Sequence, residues 1–386
     1  MIKDKVQYSK NMFPRLKCIY LNSASNAPTP LESIRAITDF LLAVSEYGPD
    51  SNKSQDMIED ITHNTRKELA ALIRCRVDEI VFTESTTDGI NIVANGLILK
   101  EGSSIIIRDG EHEHPSNHYA WLRLRSRGVE VKSINLKDEY GSIDVDELIS
   151  SIQDDTRLIV LSHALFNTGL VLPVEEIGKR TKVPLFLDSA QSVGCMNVDV
   201  NTLGCSFMVF PASKWLCGPS GIGILYCNSR AAEYIEPPSI GGESAFIHNG
   251  SLVYREMPYR LQTGFRSYAL LAGLLESLRY IRSIGIEKIR QWNIYLADTI
   301  IDELSSMSNV KLYTPKDCRR TSIVSFMVDG INSSTLVREL DRYGVVVAER
   351  SILDKKVVRV STHMFNTEDD VSRFINILKK IIIQEK

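Results

Sequence analysis

Short apolar runs alternate with helical patterns over the first two thirds of the chain, and no other feature limits the possible folds as strongly. Several runs are apolar on both faces, as the buried strands of a parallel sheet must be. Helical patterns lie between them at 86–99, 117–128, 144–153 and 174–181. This alternation predicts a doubly wound α/β domain with a mostly parallel central sheet. The predicted strands are DEIVFT (78–83), SSIIIRD (103–109), VEVKSIN (129–135), TRLIVLSHA (156–164), VPLFLDSA (183–190), CSFMVFPA (205–212) and GIGILYC (221–227).

Beyond about residue 263 the pattern changes to that of a smaller unit. Two long helical patterns, at 267–285 and 287–306, come first. Shorter strand and helix patterns then alternate towards the end of the chain, which indicates an α+β domain. We therefore predict a large domain of residues 15–266 and a small domain of residues 267–386 together with residues 1–14.

Composition and charge narrow the class of protein. The net charge of −3 gives no electrostatic reason to expect binding to nucleic acid or to a membrane surface. No apolar run approaches the roughly 20 residues that span a bilayer, and the polar N-terminal segment lacks the apolar core of a secretory signal. Seven cysteines are dispersed without a CxxC pair, which argues against disulfides and zinc and for a reducing compartment. We expect a cytoplasmic protein with a small-molecule ligand.

A lysine stands between an apolar run and a glycine-rich turn in FPASKWLCGPSGIGILY (210–226). A desolvated lysine has a lowered pKa and can form a Schiff base with an aldehyde, which would make Lys214 a nucleophile. Alternatively, Lys214 extends its ammonium group to solvent from the end of a strand. Position alone leaves both interpretations open.

Two further segments follow predicted strands, where ligands bind in open α/β sheets. Asp188 ends the strand PLFLD and would either hold a protonated pyridine nitrogen or cap the next helix. In FTESTTDGIN (82–91), Ser85, Thr86 and Thr87 combine hydroxyl groups with the free N–H groups of a helix start. Such a segment can hold a phosphate, although an ordinary helix cap has the same residues.

Histidine and arginine supply two more candidates. His112, His114 and His118 cluster in EHEHPSNH (111–118), but no carboxylate or cysteine elsewhere has a matching spacing for a metal. Stacking on an aromatic ligand, or loop hydrogen bonding, is favoured instead. Arg359 lies among apolar residues in VVRVSTHMFN, where it would bind a carboxylate bidentately or pair with a neighbouring Asp or Glu.

Together these segments resemble the class V aminotransferase superfamily of fold type I pyridoxal-phosphate enzymes, which includes cysteine desulfurases, isopenicillin-N-epimerase-like proteins and C–S lyases. The resemblance implies homodimers with each active site at the subunit interface. It covers nearly the whole chain, through YLNSASNAPTP (20–30), VFTESTTDGINIVANGL (81–97), EHPSNHYAW (113–121), LSHALFNTGLVLPVEEI (161–177), LFLDSAQSVG (185–194), SKWLCGPSGIGILY (213–226) and VVRVSTHMFNTEDDV (357–371).

The resemblance also implies a role for each candidate residue, with pyridoxal 5'-phosphate as cofactor and an amino acid as substrate. Lys214 would form the Schiff base and then move the α-proton. Asp188 would pair with the ring nitrogen, and His114 would stack on the ring. The remaining implied contacts are Gln191 with the phenolic oxygen, Thr86, Thr87 and Ser213 with the phosphate, and Arg359, Asn167 and Ser25 with the substrate, Arg359 binding its α-carboxylate.

Two segments depart from the pattern of the family. Cysteine desulfurases carry a nucleophilic cysteine shortly before the arginine segment, whereas AERSILDKKVVRVS (348–361) is short and has none. Cys318 lies before the strand that precedes this segment and so does not replace the nucleophilic cysteine. A persulfide-forming desulfurase is therefore disfavoured. In RLQTGFRS (260–267), Phe265 stands where a threonine usually reaches the phosphate of the partner subunit. Thr263 is the alternative for that contact.

The expected reaction follows from these departures. We expect a class V aminotransferase, because transamination needs no additional nucleophile. A C–S lyase of the cysteine or cystine type, and an amino-acid epimerase, remain the alternatives. A nicotinamide-binding protein would need a GxGxxG motif after an early strand, which the sequence lacks.

Lys214→Ala is expected to abolish turnover and the cofactor absorbance near roughly 410–430 nm, because the lysine amine makes the bond that produces this absorbance. Absorbance spectra and kinetic assays check this, and retention of both properties would contradict the site assignment. Cys217→Ala serves as the control and should leave activity within a few-fold. A loss of about a thousandfold, or roughly 4 kcal/mol, would give that thiol a catalytic role.

Overall fold

The computed structural model describes residues 9–108, 110–317 and 319–384; the predictions that fall on residues 1–8, Asp109 and Cys318 lie outside them. The elements of the first part are β1 (Ile19–Tyr20), α1 (Leu31–Tyr47), α2 (Asn52–Ile73), β2 (Ile80–Thr83), α3 (Thr86–Gly96), β3 (Ser104–Arg108), α4 (Ser116–Leu122), β4 (Glu130–Ile134), α5 (Val145–Ser150), β5 (Thr156–Ser162), α6 (Val174–Arg180), β6 (Leu185–Asp188), α7 (Val200–Leu203), β7 (Phe207–Pro211) and β8 (Gly223–Cys227). Those that follow are β9 (Ala245–His248), β10 (Ser251–Tyr254), α8 (Tyr268–Ile284), α9 (Ile286–Ser305), β11 (Val310–Leu312), β12 (Ile323–Val328), α10 (Ser333–Arg342), β13 (Val345–Val346), β14 (Ala348–Ile352), β15 (Lys355–Ser361) and α11 (Glu368–Gln384).

A seven-stranded sheet with the order β2-β8-β7-β6-β5-β3-β4 forms the centre of the fold. All seven predicted strands take part, each somewhat shorter than predicted. Only β8 runs antiparallel to its neighbours in this sheet. The predicted α/β class is confirmed. Because the other strands are parallel, the carboxyl ends of β3, β5, β6 and β7 meet at one edge, where ligands bind in open sheets.

Apolar cores cover both faces of this sheet. Alternate residues of β2 point to opposite sides, so that Ile80 and Phe82 join one core and Val81 joins the other. The first core includes side chains from α2, α5, α6 and α8, and the second includes side chains from α3 and α4. Helices on both faces explain why the strands are apolar throughout.

A second sheet, of order β11-β12-β15-β14, is fully antiparallel and belongs to the C-terminal part. Its core includes residues of α9, α10 and α11. The N-terminal segment contributes to this core through Ile19 and Leu21, because β1 pairs with β13. Helix α8 instead packs its apolar side chains into the first core. The proposed boundaries at residues 14 and 266 stay a prediction.

Two features were not predicted from the sequence. Helices α1 and α2 fill residues 31–73, and the hairpin of β9 and β10 projects several apolar side chains into solvent. Helix α2 is hard to detect because its 22 residues are mostly polar, and few of its side chains are buried. No helix within the described residues is long and apolar enough to cross a membrane.

Gly223 is expected to control the position of the start of α3. A Cβ atom there would lie 2.3 Å from the carbonyl carbon of Ser85 and 2.5 Å from Thr83 Oγ1. Gly223→Ala should therefore reduce the free energy of unfolding by about 1–3 kcal/mol. It should also weaken binding of the pyridoxal phosphate that the resemblance implies, since Thr86 follows Ser85 directly. Thermal unfolding and cofactor titration check this. Gly242→Ala, where no atom lies within 4 Å of the added Cβ, is the control and should change neither quantity.

Candidate active site

Lys214 lies in the turn that follows β7. Hydrogen bonds from Cys217 N to Lys214 O (3.0 Å) and from Gly218 N to Ala212 O (2.8 Å) fix the turn. Its Nζ borders two adjoining cavities and has no hydrogen-bond or ion-pair partner among the described residues. Burial lowers the pKa of Lys214 to about 8; nearby Asp188 opposes this change, and the arginines of the larger cavity add to it. An amine with this pKa is largely available as a nucleophile at mildly alkaline pH.

Asp188 ends β6 and borders the smaller cavity, which measures about 240 Å³. Its Oδ1 accepts a hydrogen bond from Ala190 N (2.9 Å), and no donor among the described residues contacts Oδ2. Burial raises the pKa of Asp188 to about 6, and Lys214 opposes this change. A carboxylate oxygen that accepts no hydrogen bond from the described residues, on a buried aspartate that borders a cavity, suits a positively charged ring nitrogen.

The start of α3 forms another wall of the smaller cavity. Ser85 caps the helix, because its Oγ accepts a hydrogen bond from Asp88 N (3.1 Å). Thr86 and Thr87 follow and also line the cavity, where Thr87 Oγ1 donates to Ser116 Oγ (2.9 Å). Hydroxyl groups at a helix N-terminus favour a phosphate. An unpartnered lysine, a free carboxylate oxygen and this helix start together fit pyridoxal phosphate.

His114 and Gln191 border both cavities. The His114 ring packs edge-on against Phe166, with ring centroids 5.4 Å apart. One side of the residue lines the cavities, and the residue as a whole is exposed. Desolvation by neighbouring groups lowers the pKa of His114 to about 4, with a further contribution from the cation Lys214. Gln191 is held by Trp215, which donates to its Oε1 (2.8 Å), and by its own donation to Ala24 O (2.9 Å).

Arg359 lies at the wall of the larger cavity, which measures about 760 Å³. Its side chain is only 1% exposed and donates to Phe166 O (2.7 Å) and to Ser25 Oγ (2.6 Å). No carboxylate among the described residues forms an ion pair with it, so the alternative of a structural ion pair does not hold for this part of the chain. Burial holds the pKa of Arg359 well below its usual value. Such a guanidinium is suited to bind a carboxylate ligand.

Arg350 is a functional candidate that the sequence reasoning missed. Its guanidinium also donates to Ser25 Oγ (2.6 Å), so two arginines share one hydroxyl group at the cavity wall. The two arginines lie close together because β14 and β15 form a hairpin in which Ala348 pairs with Arg359. Its turn consists of only Leu353 and Asp354. The sequence signal that could have identified Arg350 was the occurrence of two arginines on neighbouring strands of a short hairpin.

Three predicted contacts lie away from the cavity walls. Ser213 and Thr263 are not among the residues that line either cavity. Asn167 is completely buried, contacts His112 Nδ1 through Oδ1 (3.2 Å) and donates to Ser351 O (2.9 Å). Asn167 therefore connects the histidine loop to β14. The predicted roles of these residues towards cofactor or substrate stay predictions.

No cysteine among the described residues lines either cavity. Cys217 is completely buried, and burial raises the pKa of its thiol. The β14–β15 turn, where the desulfurase cysteine was sought, contains none. The described residues also include no group of three His, Cys, Asp or Glu side chains that could hold a metal.

Comparison with known proteins gives a consistent result. The family model "Aminotransferase class-V" matches residues 19–374. A probable cysteine desulfurase of Methanothermobacter thermautotrophicus is 30% identical, covering 94% of each chain. A solved lysine-to-alanine variant of C-DES, with glycine covalently linked to its pyridoxal-phosphate cofactor, is 25% identical, with a TM-score of 0.89 and coverage of 96% of this chain and 98% of its own. The cystine C–S lyase C-DES in complex with its product cysteine persulfide is 25% identical, with a TM-score of 0.86 and coverage of 94% and 97%.

The reaction of Lys214 with pyridoxal phosphate is expected to accelerate with pH and to level off above about pH 8, because only the neutral amine attacks the aldehyde. A free lysine, with a pKa of about 10.4, would continue to accelerate beyond that point. Arg359→Gln removes a cation that lowers the pKa of Lys214, so the midpoint should move to higher pH. Stopped-flow absorbance of cofactor-free protein measures this, and a midpoint near that of free lysine would contradict the assignment.

Proposed function

Because the chain belongs to the class V aminotransferase family and depends on pyridoxal phosphate, we propose that it is a C–S lyase that cleaves cystine. This proposal replaces the aminotransferase that was expected from the sequence with the C–S lyase that was given there as an alternative. The relative reported above is named a probable cysteine desulfurase, and one structural neighbour is a cystine C–S lyase, so both names refer to sulfur amino acids. An epimerase receives no comparable support.

One observation carries the proposal: among the described residues, the site has the lysine, carboxylate and arginine but no thiol. A desulfurase of the kind described above needs a cysteine to receive the sulfur atom. Without it, sulfur leaves as part of a small-molecule product. Cystine and one water would then give cysteine persulfide, pyruvate and ammonia.

The residues of the chain would divide the work as follows. Bound pyridoxal phosphate withdraws electrons from the substrate's α-carbon and so makes its proton acidic. Lys214 Nζ would remove this proton, since its low pKa leaves a useful fraction of neutral amine. Arg359 would hold the α-carboxylate, and His114 would cover the ring face. The C–S bond β to the α-carbon then breaks, and the sulfur leaves with its substituent.

The presence of Arg350 supports cystine, and not cysteine, as the proposed substrate. Cysteine has one carboxylate, and Arg359 is sufficient for it. Arg350 presents a second guanidinium to the same cavity, also without an ion-pair partner among the described residues, and burial lowers its pKa. Lys356 lies at the same wall of the cavity. Cystine has a second carboxylate beyond its sulfur atoms, and the cavity volume of about 760 Å³ leaves room for it.

Incubation of the holoenzyme with cystine, cysteine and a panel of other amino acids, with and without 2-oxoglutarate or pyruvate, tests the function. We expect cystine to yield pyruvate, ammonia and persulfide without any keto acid. Arg350→Gln should raise KM for cystine at least about tenfold, which is ~1.4 kcal/mol for the loss of one charged contact. It should change the kinetics with cysteine much less.

Arg338→Gln, an exposed arginine on α10, is the matched control and should leave both substrates unaffected. Amino-group transfer that requires a keto acid would contradict the lyase and support an aminotransferase. An equal loss with cystine and cysteine in Arg350→Gln would contradict the choice of substrate but not the class of reaction.

We also propose the homodimer that the resemblance implies. Phe265, which is 83% exposed, and the apolar side chains Ile247 and Leu252 of the β9–β10 hairpin support it, since apolar patches of this kind often mark subunit contacts. The partner-phosphate contact of Thr263 or Phe265 depends on this assembly.

A further inference from the structure

A buried ion pair lies beneath the loop that carries His114. Arg108 ends β3, and its Nε donates to Glu113 Oε1 over 2.9 Å. Both side chains are almost completely buried. The guanidinium also donates to Gly141 O (2.6 Å), which fixes it from the other side. The pair therefore ties residue 113 to the carboxyl end of β3.

The carboxylate of Glu113 receives hydrogen bonds from two further elements. Its Oε2 accepts from Ser162 Oγ (2.5 Å), at the end of β5, and from Asn117 Nδ2 (3.1 Å), in the first turn of α4. Its Oε1 additionally accepts from the backbone N of Ser162 (3.4 Å). The loop is thus fastened to the ends of two neighbouring strands and to the start of a helix.

Only a carboxylate satisfies this arrangement. Arg108 Nε and Asn117 Nδ2 can only donate, and they contact different oxygens of Glu113. A glutamine would direct its NH₂ group at one of these donors, whichever way its amide is turned. It would also leave the buried Arg108 without its counter-charge.

The same residues control the backbone at His114. Asn117, whose side chain bonds Glu113, donates its backbone N–H to His114 O (2.8 Å). Glu113 N donates to Gly110 O (3.2 Å), so backbone hydrogen bonds hold the chain both before and after His114. His114 follows Glu113 directly, and its ring borders the cavity where the cofactor fits.

We propose that Glu113 is a positioning residue that acts through His114, holding the imidazole over the cofactor cavity by fastening the loop between β3 and α4. Glu113 also borders the larger cavity, but its carboxylate is engaged by protein donors. The inference rests on the stacking of His114 on pyridoxal phosphate and not on which bond the enzyme cleaves.

The dissociation constant of pyridoxal phosphate and the visible circular dichroism of the bound cofactor test the proposal. They are measured for Glu113→Gln, for His114→Ala and for the double variant. Glu113→Gln should weaken cofactor binding about tenfold and reduce the dichroism when His114 is present. In the His114→Ala background it should weaken binding by less than about twofold, because residues that act as a unit are not additive.

Equal weakening in both backgrounds would show a general structural role and overturn the proposal, as would unchanged binding in either single variant. Glu101→Gln, an exposed glutamate just before β3, is the matched control and should change neither measurement. If Glu113→Gln fails to fold, Glu113→Asp keeps the charge but withdraws the carboxylate by one methylene group. The same dependence on His114 is then required of it.

Discussion

Positive charge that is largely removed from solvent and forms no ion pair within the part of the chain that the structure describes is the constraint on which this candidate active site depends. Lys214, Arg350 and Arg359 border one cavity, and no carboxylate among the described residues forms an ion pair with any of them. Burial lowers the pKa of all three, because desolvation disfavours the charged form. An anionic ligand relieves this cost by supplying the missing charge. The shared hydroxyl of Ser25 meanwhile keeps both guanidinium groups oriented.

The two sheets divide the site between them. The central sheet supplies the cofactor side, because its parallel strands bring Asp188 and Lys214 to one edge. The antiparallel sheet supplies Arg350 and Arg359, the proposed substrate contacts, through β14 and β15. Arg359 spans the junction, since it donates to Phe166 O of the large unit. The cavity therefore has walls from both parts of the chain, and its shape depends on how the two sheets are packed.

The candidate site was largely predictable where a residue follows a strand of the parallel sheet. Asp188, Thr86, Thr87 and Lys214 were predicted in this way, because the end of a strand is visible in the local sequence, and all four line the smaller cavity. Arg350 was not found, since its importance depends on the register of a hairpin and on Ser25, more than 300 positions away in the chain. Asn167 illustrates the converse. It follows a strand as a ligand-binding residue would, but its amide connects two protein segments.

By itself, the sequence determined the α/β class, the strands of the central sheet and several of the residues that line the smaller cavity. These depend on apolar periodicity and on short motifs, which act over a few residues. The tertiary structure alone decided which charges meet without partners, which hydroxyl two arginines share and which carboxylate fastens the His114 loop. Such contacts join residues distant in the chain, and their energy depends on burial, which no short segment contains.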